Sequence, residues 1–185
     1  AGFFPDSHLD EFYGYQTLMG MHPDIKLAGV EMCTGGLGHG LSVGVGMALG
    51  ARLKKRQSRT VVMVGDGEVQ EGEVWEAVMA AEFHSASNLK VIVDRNGIQN
   101  DDFVSVQMEV GDIASKLASF GWKVMEIDGH SMTDIVQALE WAVSIDDGPC
   151  AIVAKTVKGK GVSFMEGNPA FHGKAASPKE LEQAL

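Results

Sequence analysis

Two short apolar runs, Thr60-Val-Val-Met-Val-Gly65 and Leu89-Lys-Val-Ile-Val-Asp94, flank an amphipathic stretch and constrain the fold more than any other feature of this sequence. Runs of this length, rich in β-branched residues, suit strands buried on both faces. The stretch between them is one helical crossover long, so the two runs should pair in parallel. From Glu71 to His84 the apolar residues Val74, Trp75, Val78, Met79 and Phe83 fall on one helical stripe.

The alternation continues along the chain. A helix from Gly38 to Arg56 carries Leu41, Val45 and Leu49 and ends in a basic turn, which suits a helix C-terminus. Asp112 caps a helix bearing Ile113, Leu117 and Phe120 that stops at Gly121, and Trp122 to Ile127 is a third strand. Ser131 opens a helix with Met132, Ile135, Val136, Leu139 and Val143 on its buried side, and Pro149 to Lys155 is the fourth strand. Ser177-Pro-Lys-Glu180 combines a Ser cap, a Pro at the first helical position and a Glu at the third. A further helix is expected from Ser7 to Gly20, with Leu9, Phe12 and Tyr13 on one face, and Thr156 to Ala176 reads as a long irregular segment. The fold class is therefore α/β: an open, mostly parallel sheet with helices on both faces and ligand loops at the carboxyl ends of the strands. A single domain accounts for all 185 residues, enough to bury a core. Gly40, Gly44, Gly46 and Gly50 each cost about 1 kcal/mol relative to Ala inside a helix, so close backbone packing is expected to compensate.

Charge removes several function classes. Fifteen basic residues against 25 acidic ones leave a net charge of −10, which disfavours nucleic-acid and anionic-membrane partners. No apolar run approaches the roughly 18 residues of a membrane span. Cys33 and Cys150 form neither a zinc pattern nor a disulfide framework, so a reducing, cytoplasmic location is expected. The chain starts at Ala1 without an initiator Met, which suggests a fragment or a trimmed subunit. Gly36-Leu-Gly38 does not complete a dinucleotide fingerprint, because Leu41 stands at the third glycine position. Asp94-Arg-Asn96-Gly-Ile98 starts like a calcium loop but lacks an oxygen side chain at Ile98.

Chemistry concentrates at Gly65-Asp66-Gly67, between an apolar strand and a helix. The glycines allow a tight turn that presents N–H groups to an anion, near a favourable helix N-terminus. A carboxylate there repels phosphate unless it holds a divalent cation shared with phosphate oxygens. A second oxygen donor should then lie nearby, and Asn96, 30 residues on at the end of the next strand, is the candidate. Alone, Gly-Asp-Gly is equally served by an ordinary strand-to-helix turn.

The wider context is specific. Gly65-Asp-Gly-Glu-Val-Gln-Glu-Gly-Glu-Val-Trp-Glu-Ala77, followed by Asn88-Leu-Lys-Val-Ile-Val-Asp-Arg-Asn-Gly-Ile-Gln99, resembles the thiamine-diphosphate fingerprint in its transketolase form. Met21-His-Pro-Asp24, Gly29-Val-Glu-Met-Cys-Thr-Gly-Gly-Leu-Gly-His-Gly40 and Lys158 to Gly173 extend the resemblance over nearly the whole chain, which looks most like the N-terminal section of a split transketolase. The resemblance implies a single pyrophosphate-binding domain over 1–185, without the family's preceding N-terminal helices and without its aminopyrimidine-binding domain.

It also implies thiamine diphosphate as cofactor, with magnesium, or calcium in its place, held by Asp66, Asn96 and the backbone of Ile98. Gly67 would face the diphosphate, while Gly35 and Leu37 would lie against the cofactor rings. His22 and His172 correspond to histidines of the cofactor and donor-sugar site, suited to proton handling and hydrogen bonding. Glu71 corresponds to an acid at the dimer interface that couples to the partner's activating Glu. The implied activity is transfer of a two-carbon ketol unit between sugar phosphates in carbohydrate metabolism of the pentose phosphate type. The implied partner is a C-terminal, pyrimidine-binding transketolase subunit or domain, in a dimer or heterotetramer, and without it the chain should be inactive. Within thiamine-diphosphate enzymes the alternatives are a 2-oxo acid dehydrogenase subunit or a deoxyxylulose-phosphate synthase, and outside them a non-catalytic interaction module. Gln70 to Ala77 favours transketolase over the other enzymes.

Overall fold

The chain folds around four strands, β1 (Thr60–Gly65), β2 (Leu89–Arg95), β3 (Lys123–Asp128) and β4 (Cys150–Lys155), in a computed structural model that describes residues 2–185. Every pairing is parallel, in the order β1-β2-β4-β3, so the expected mostly parallel sheet is wholly parallel. Six helices accompany it among the described residues: α1 (His39–Leu53), α2 (Gly72–Phe83), α3 (Val104–Gln107), α4 (Ile113–Ser119), α5 (Met132–Ser144) and α6 (Pro178–Ala184).

Alternation along each strand divides the core in two. Val62, Val64, Val91, Val93, Ala151 and Val153 point to one face, under α1, α2 and α4. Cys150 and Ile152 point to the other, where Ala138 and Ala142 of α5 cover them. Crossover handedness explains the split. The steps β1 to β2 and β2 to β3 move in one direction across the sheet, so right-handed connections leave their helices on one side; the return step from β3 to β4 puts α5 on the other. Beyond α5 the second face is bare on β1, where Val61 and Met63 are 59% and 66% exposed.

Local signals set the helix ends. Asp112 accepts from the Ser115 amide, Ser131 from Asp134, and Ser177 with Glu180 forms a reciprocal capping box, as the sequence predicts. Three expectations need correction. The Ser7–Gly20 helix is only a 3-10 turn, Asp6–Glu11, with no buried residue, because its apolar side has no element to pack against. On α2 the buried stripe is Val74, Ala77, Val78 and Ala81, while Met79 and Phe83 are exposed. On α5 small Ala138 and Ala142 face the sheet, whereas Met132, Val136, Leu139 and Val143 lie exposed. In both helices alanine permits the close approach that the larger apolar residues would block. Among the described residues no helix is long and apolar enough to cross a membrane.

Only one of the four α1 glycines behaves as expected. A Cβ on Gly44 would overlap the Val62 methyl, so the helix rides directly on β1 there; Gly40, Gly46 and Gly50 face open space. Replacing Gly44 by Ala should therefore destabilise the chain by about 1–3 kcal/mol. Gly46→Ala should stabilise it by about 0.5–1 kcal/mol through helix propensity. Urea denaturation of the two variants checks the opposite signs.

Candidate functional site

β1 and β2 deliver the two predicted metal ligands to one place. Their register sets Gly65 opposite Asp94, and the Asp66 amide extends the ladder by donating to the Asp94 carbonyl at 3.1 Å. The loops that follow then meet. The Gly97 amide donates to Asp66 Oδ2 at 2.7 Å, and the Gly67 amide donates to Oδ1 at 3.0 Å. Asp66 is only 3% exposed, and its two oxygens retain lone pairs beyond these bonds. Asp66 and Asn96 line one cleft of about 290 Å³, together with Arg95, Gly97, Lys155 and Thr156.

Asn96 is held in a defined orientation. Its Nδ2 donates to Asp94 Oδ2 at 2.9 Å, and its Oδ1 accepts from the Ile98 amide at 3.0 Å. A carboxylate on one side and an N–H on the other fix which end of the amide is oxygen. The Thr156 hydroxyl donates in turn to Asp94 Oδ1, tying the start of the 156–176 segment to the same network. Ile98 is buried, and among the described residues no hydrogen bond reaches its carbonyl.

Electrostatics at Asp66 are tense. Burial raises its pKa above the usual carboxylate value, the Gly97 and Gly67 amides oppose that shift, and the Asp94 charge adds to it. No lysine or arginine makes a salt bridge with either carboxylate among the described residues. No group of three or more His, Cys, Asp and Glu side chains is placed to hold a metal among those residues either, so any cation site must use amide and carbonyl oxygens. One carboxylate, the Asn96 Oδ1 and a free carbonyl are the donor chemistry of a hard divalent cation, which magnesium fits while keeping several waters.

The other predicted residues stand outside the lining of this cleft. Gly35 has φ +109°, and a Cβ there would sit 2.7 Å from the His22 ring, so Gly35 and exposed His22 pack face to face. Leu37 is exposed, and Gly38 begins α1 with φ +84°, close against Glu71 at the start of α2. Neither His22 nor His172 lines the Asp66 cleft. His172 closes a 3-10 turn, Pro169–Phe171, within the otherwise irregular 156–176 segment. Partial burial lowers its pKa below the ordinary imidazole value, Lys158 lowers it further, and Asp101 opposes the shift. Gly67 is closely packed, since a Cβ would lie 2.7 Å from Gln99 Cβ; its amide is already engaged by Asp66. A 3-10 turn, Glu68–Gln70, separates it from α2, where the sequence suggests a direct entry.

Sequence reasoning missed the brace that joins the two halves. Glu68 accepts from the Gly38 amide at 3.0 Å through Oε1 and from the Gly65 amide at 3.1 Å through Oε2. One side chain thus pins the end of the Thr34–Gly38 loop to the end of β1. Gln70 similarly donates to Gln99 Oε1 and to the Met108 carbonyl. The acid beside turn glycines was a readable signal for Glu68, whereas the Gln70 contacts depend on tertiary placement alone.

Two variants probe this geometry. Gly67→Ala should push the 96–99 loop away and cost about 1–3 kcal/mol in urea denaturation, with amide shifts at Asn96 and Gly97. In Lys158→Gln the His172 pKa should rise toward the ordinary imidazole value of 6.5, read by NMR titration of the ring; an unmoved value would discount Lys158. Because the His172 pKa is depressed on folding, its contribution to stability is lost as pH falls through 6.5 toward the folded value.

Comparison with known proteins shows the family of the chain. The family model described as "Transketolase, thiamine diphosphate binding domain" matches residues 4–184. An apulose-4-phosphate transketolase subunit from Phocaeicola vulgatus is 36% identical over 184 residues, covering 100% of this chain and 66% of the relative. The 6-deoxy-6-sulfo-D-fructose transketolase subunit SqwG of a Clostridium species is 37% identical over 172 residues, covering 92% of this chain and 62% of the relative. A crystal structure of transketolase from Campylobacter jejuni superposes with a TM-score of 0.91 at 30% identity, over 96% of this chain and 29% of that one. The chain thus spans about two thirds of the length of the two relatives. It belongs to the transketolase family and carries that family's N-terminal, thiamine-diphosphate-binding domain.

Proposed function

We propose that the chain is the pyrophosphate-binding section of a split transketolase, acting in the cytoplasm with a separate pyrimidine-binding subunit, in a dimer or heterotetramer. The observation that carries the reading is the buried Asp66 carboxylate bonded to the Gly97 amide, beside an Asn96 whose oxygen end is fixed. In this reading Asp66, Asn96 Oδ1 and the Ile98 carbonyl hold magnesium, or calcium in its place, and the cation holds the diphosphate of thiamine diphosphate. When bound, the cofactor supplies the carbanion chemistry for two-carbon ketol transfer. The chain's own residues bind, orient and exchange protons.

His22 and Gly35 pack against each other, and in this reading they would meet the cofactor rings with exposed Leu37 as an apolar contact. His172, depressed in pKa and so neutral near pH 7, is suited to accept a proton or hydrogen bond from a sugar hydroxyl. Glu71, exposed at the start of α2, is free to meet an acid across a subunit boundary. The relatives named for apulose 4-phosphate and for 6-deoxy-6-sulfo-D-fructose support an anionic ketose as the substrate class.

Asp66→Ala tests the reading. In the complex with its pyrimidine-binding partner, magnesium-dependent binding of thiamine diphosphate, followed by calorimetry, should weaken about 100-fold or more, since even indirect loss of ligand support costs 10–100-fold. Ketol transfer should fall in parallel. Unchanged cofactor affinity and magnesium dependence would reject the assignment.

A further inference from the structure

Far from Asp66, the amino ends of β1 and β2 border a polar cleft of about 470 Å³ lined by Arg52, Lys55, Arg56, Arg59, Asn88 and Asp146, among others. Its charge is anomalous for a chain of net −10. Five of the 15 basic residues, and three of the four arginines, fall between Arg52 and Arg59 with no acid among them. β1 lies between this cleft and Asp66, a separation of about 20 Å for six residues at roughly 3.3 Å each.

The walls are fixed by hydrogen bonds that leave most of the cations unused. Arg52 donates to the carbonyls of His84 and Ser85 at 2.8 and 2.7 Å, binding the end of α1 to the end of α2. Asn88 Nδ2 donates to the carbonyls of Ala48 and Ser58 at 2.9 and 3.4 Å. Buried Lys90 donates to the Ile145 carbonyl at 2.8 Å. Arg52 and Lys90 are thereby explained as structural, satisfying carbonyls at helix and loop ends. Lys55, Arg56 and Arg59 are not: among the described residues none of the three forms a salt bridge. Asp146 is the one acid on the rim.

A left-handed turn positions the first of these cations. α1 ends with the Arg56 amide donating to the Ala51 carbonyl and the Lys55 amide to that of Arg52, a turn that puts Lys55 at φ +53°. Glycine or asparagine is the ordinary residue there. Lys55 is held there as Ser85 is at the end of α2 (φ +47°), and this turn sets Lys55 beside Arg56 and Arg59 on the wall of the cleft.

We propose that this cleft binds a small dissolved phosphate ester or diphosphate, through Lys55, Arg56 and Arg59. Guanidinium forks match phosphate oxygens in a bidentate manner, and the hydrogen bonds of Arg52 and Asn88 hold the backbone that carries these side chains. A small anion senses chiefly the charges within a Debye length of about 8 Å, whereas a large polyanion or acidic protein surface also meets the repulsion of the whole acidic chain. That difference selects a small ligand over a macromolecule. The site is independent of the proposed cofactor site, so either can fail alone.

The test is a titration of the isotope-labelled chain with inorganic pyrophosphate, with EDTA present to remove divalent cations and with NMR as the readout. Saturable shifts are expected at Ser58, Ser87, Asn88 and Ile145. Arg56→Gln with Arg59→Gln should weaken binding about tenfold or more, and Asp66→Ala should leave it unchanged. Lys55→Gly removes a cation while relieving the backbone, so it should bind more weakly in a chain at least as stable. The proposal is overturned by shifts confined to residues 65–71 and 96–99, by unchanged affinity in the Lys55 and Arg56/Arg59 variants, or by an absence of saturation. Stronger competition from a poly-glutamate peptide than from pyrophosphate would also overturn it, assigning the cleft to an acidic polypeptide.

Discussion

Parallel pairing of β1 with β2 is the constraint on which the rest of the molecule depends. With Gly65 set opposite Asp94, β1 ends at Gly65 and β2 one residue further on at Arg95, so both loops leave on the same rim and the Gly97 amide reaches the Asp66 carboxylate. A slip of one residue would turn Val62 and Val64 away from the α1 and α2 core and pull the two loops apart. Packing and site geometry therefore share one register, and the apolar core enforces the position of two polar side chains.

Burial gives that arrangement its chemical character. Asp66 is removed from water, compensated in part by two backbone amides, and placed near the like charge of Asp94. A buried acid of this kind is destabilising unless protonated or met by positive charge. Neighbouring Asp94 is spent differently, accepting from Thr156 and Asn96. The two acids thus divide the work: one is left with free lone pairs, and the other orients an amide.

Sequence patterning made the sheet, its four strands and most helix caps legible, because apolar runs and Ser or Asp caps are local signals. Asp66 and Asn96 were legible as a pair because one crossover separates them. What local pattern could not supply was which apolar face wins. α2 and α5 turn their alanines inward and leave Phe83, Met132 and Val136 outside, a choice set by the spacing of helix and sheet. Likewise the residue types at Gly40, Gly46 and Gly50 suggested close approach, and only Gly44 has a neighbour to approach. The Glu68 brace and the Gln70 contacts arise from loops that meet only after folding.

The Thr156 hydroxyl has a mechanical effect larger than its size. It occupies one oxygen of Asp94 while the Asn96 amide occupies the other, so the 156–176 segment and the rim of β2 grip the same carboxylate. Were that segment to lift away, Asp94 would keep the Asn96 amide as its side-chain partner, and the Ile98 amide would still hold the oxygen end of Asn96 in place. Seating of the loop therefore bears on the rotamer of Asp94, whereas the backbone of Ile98 secures the amide that Asp94 orients.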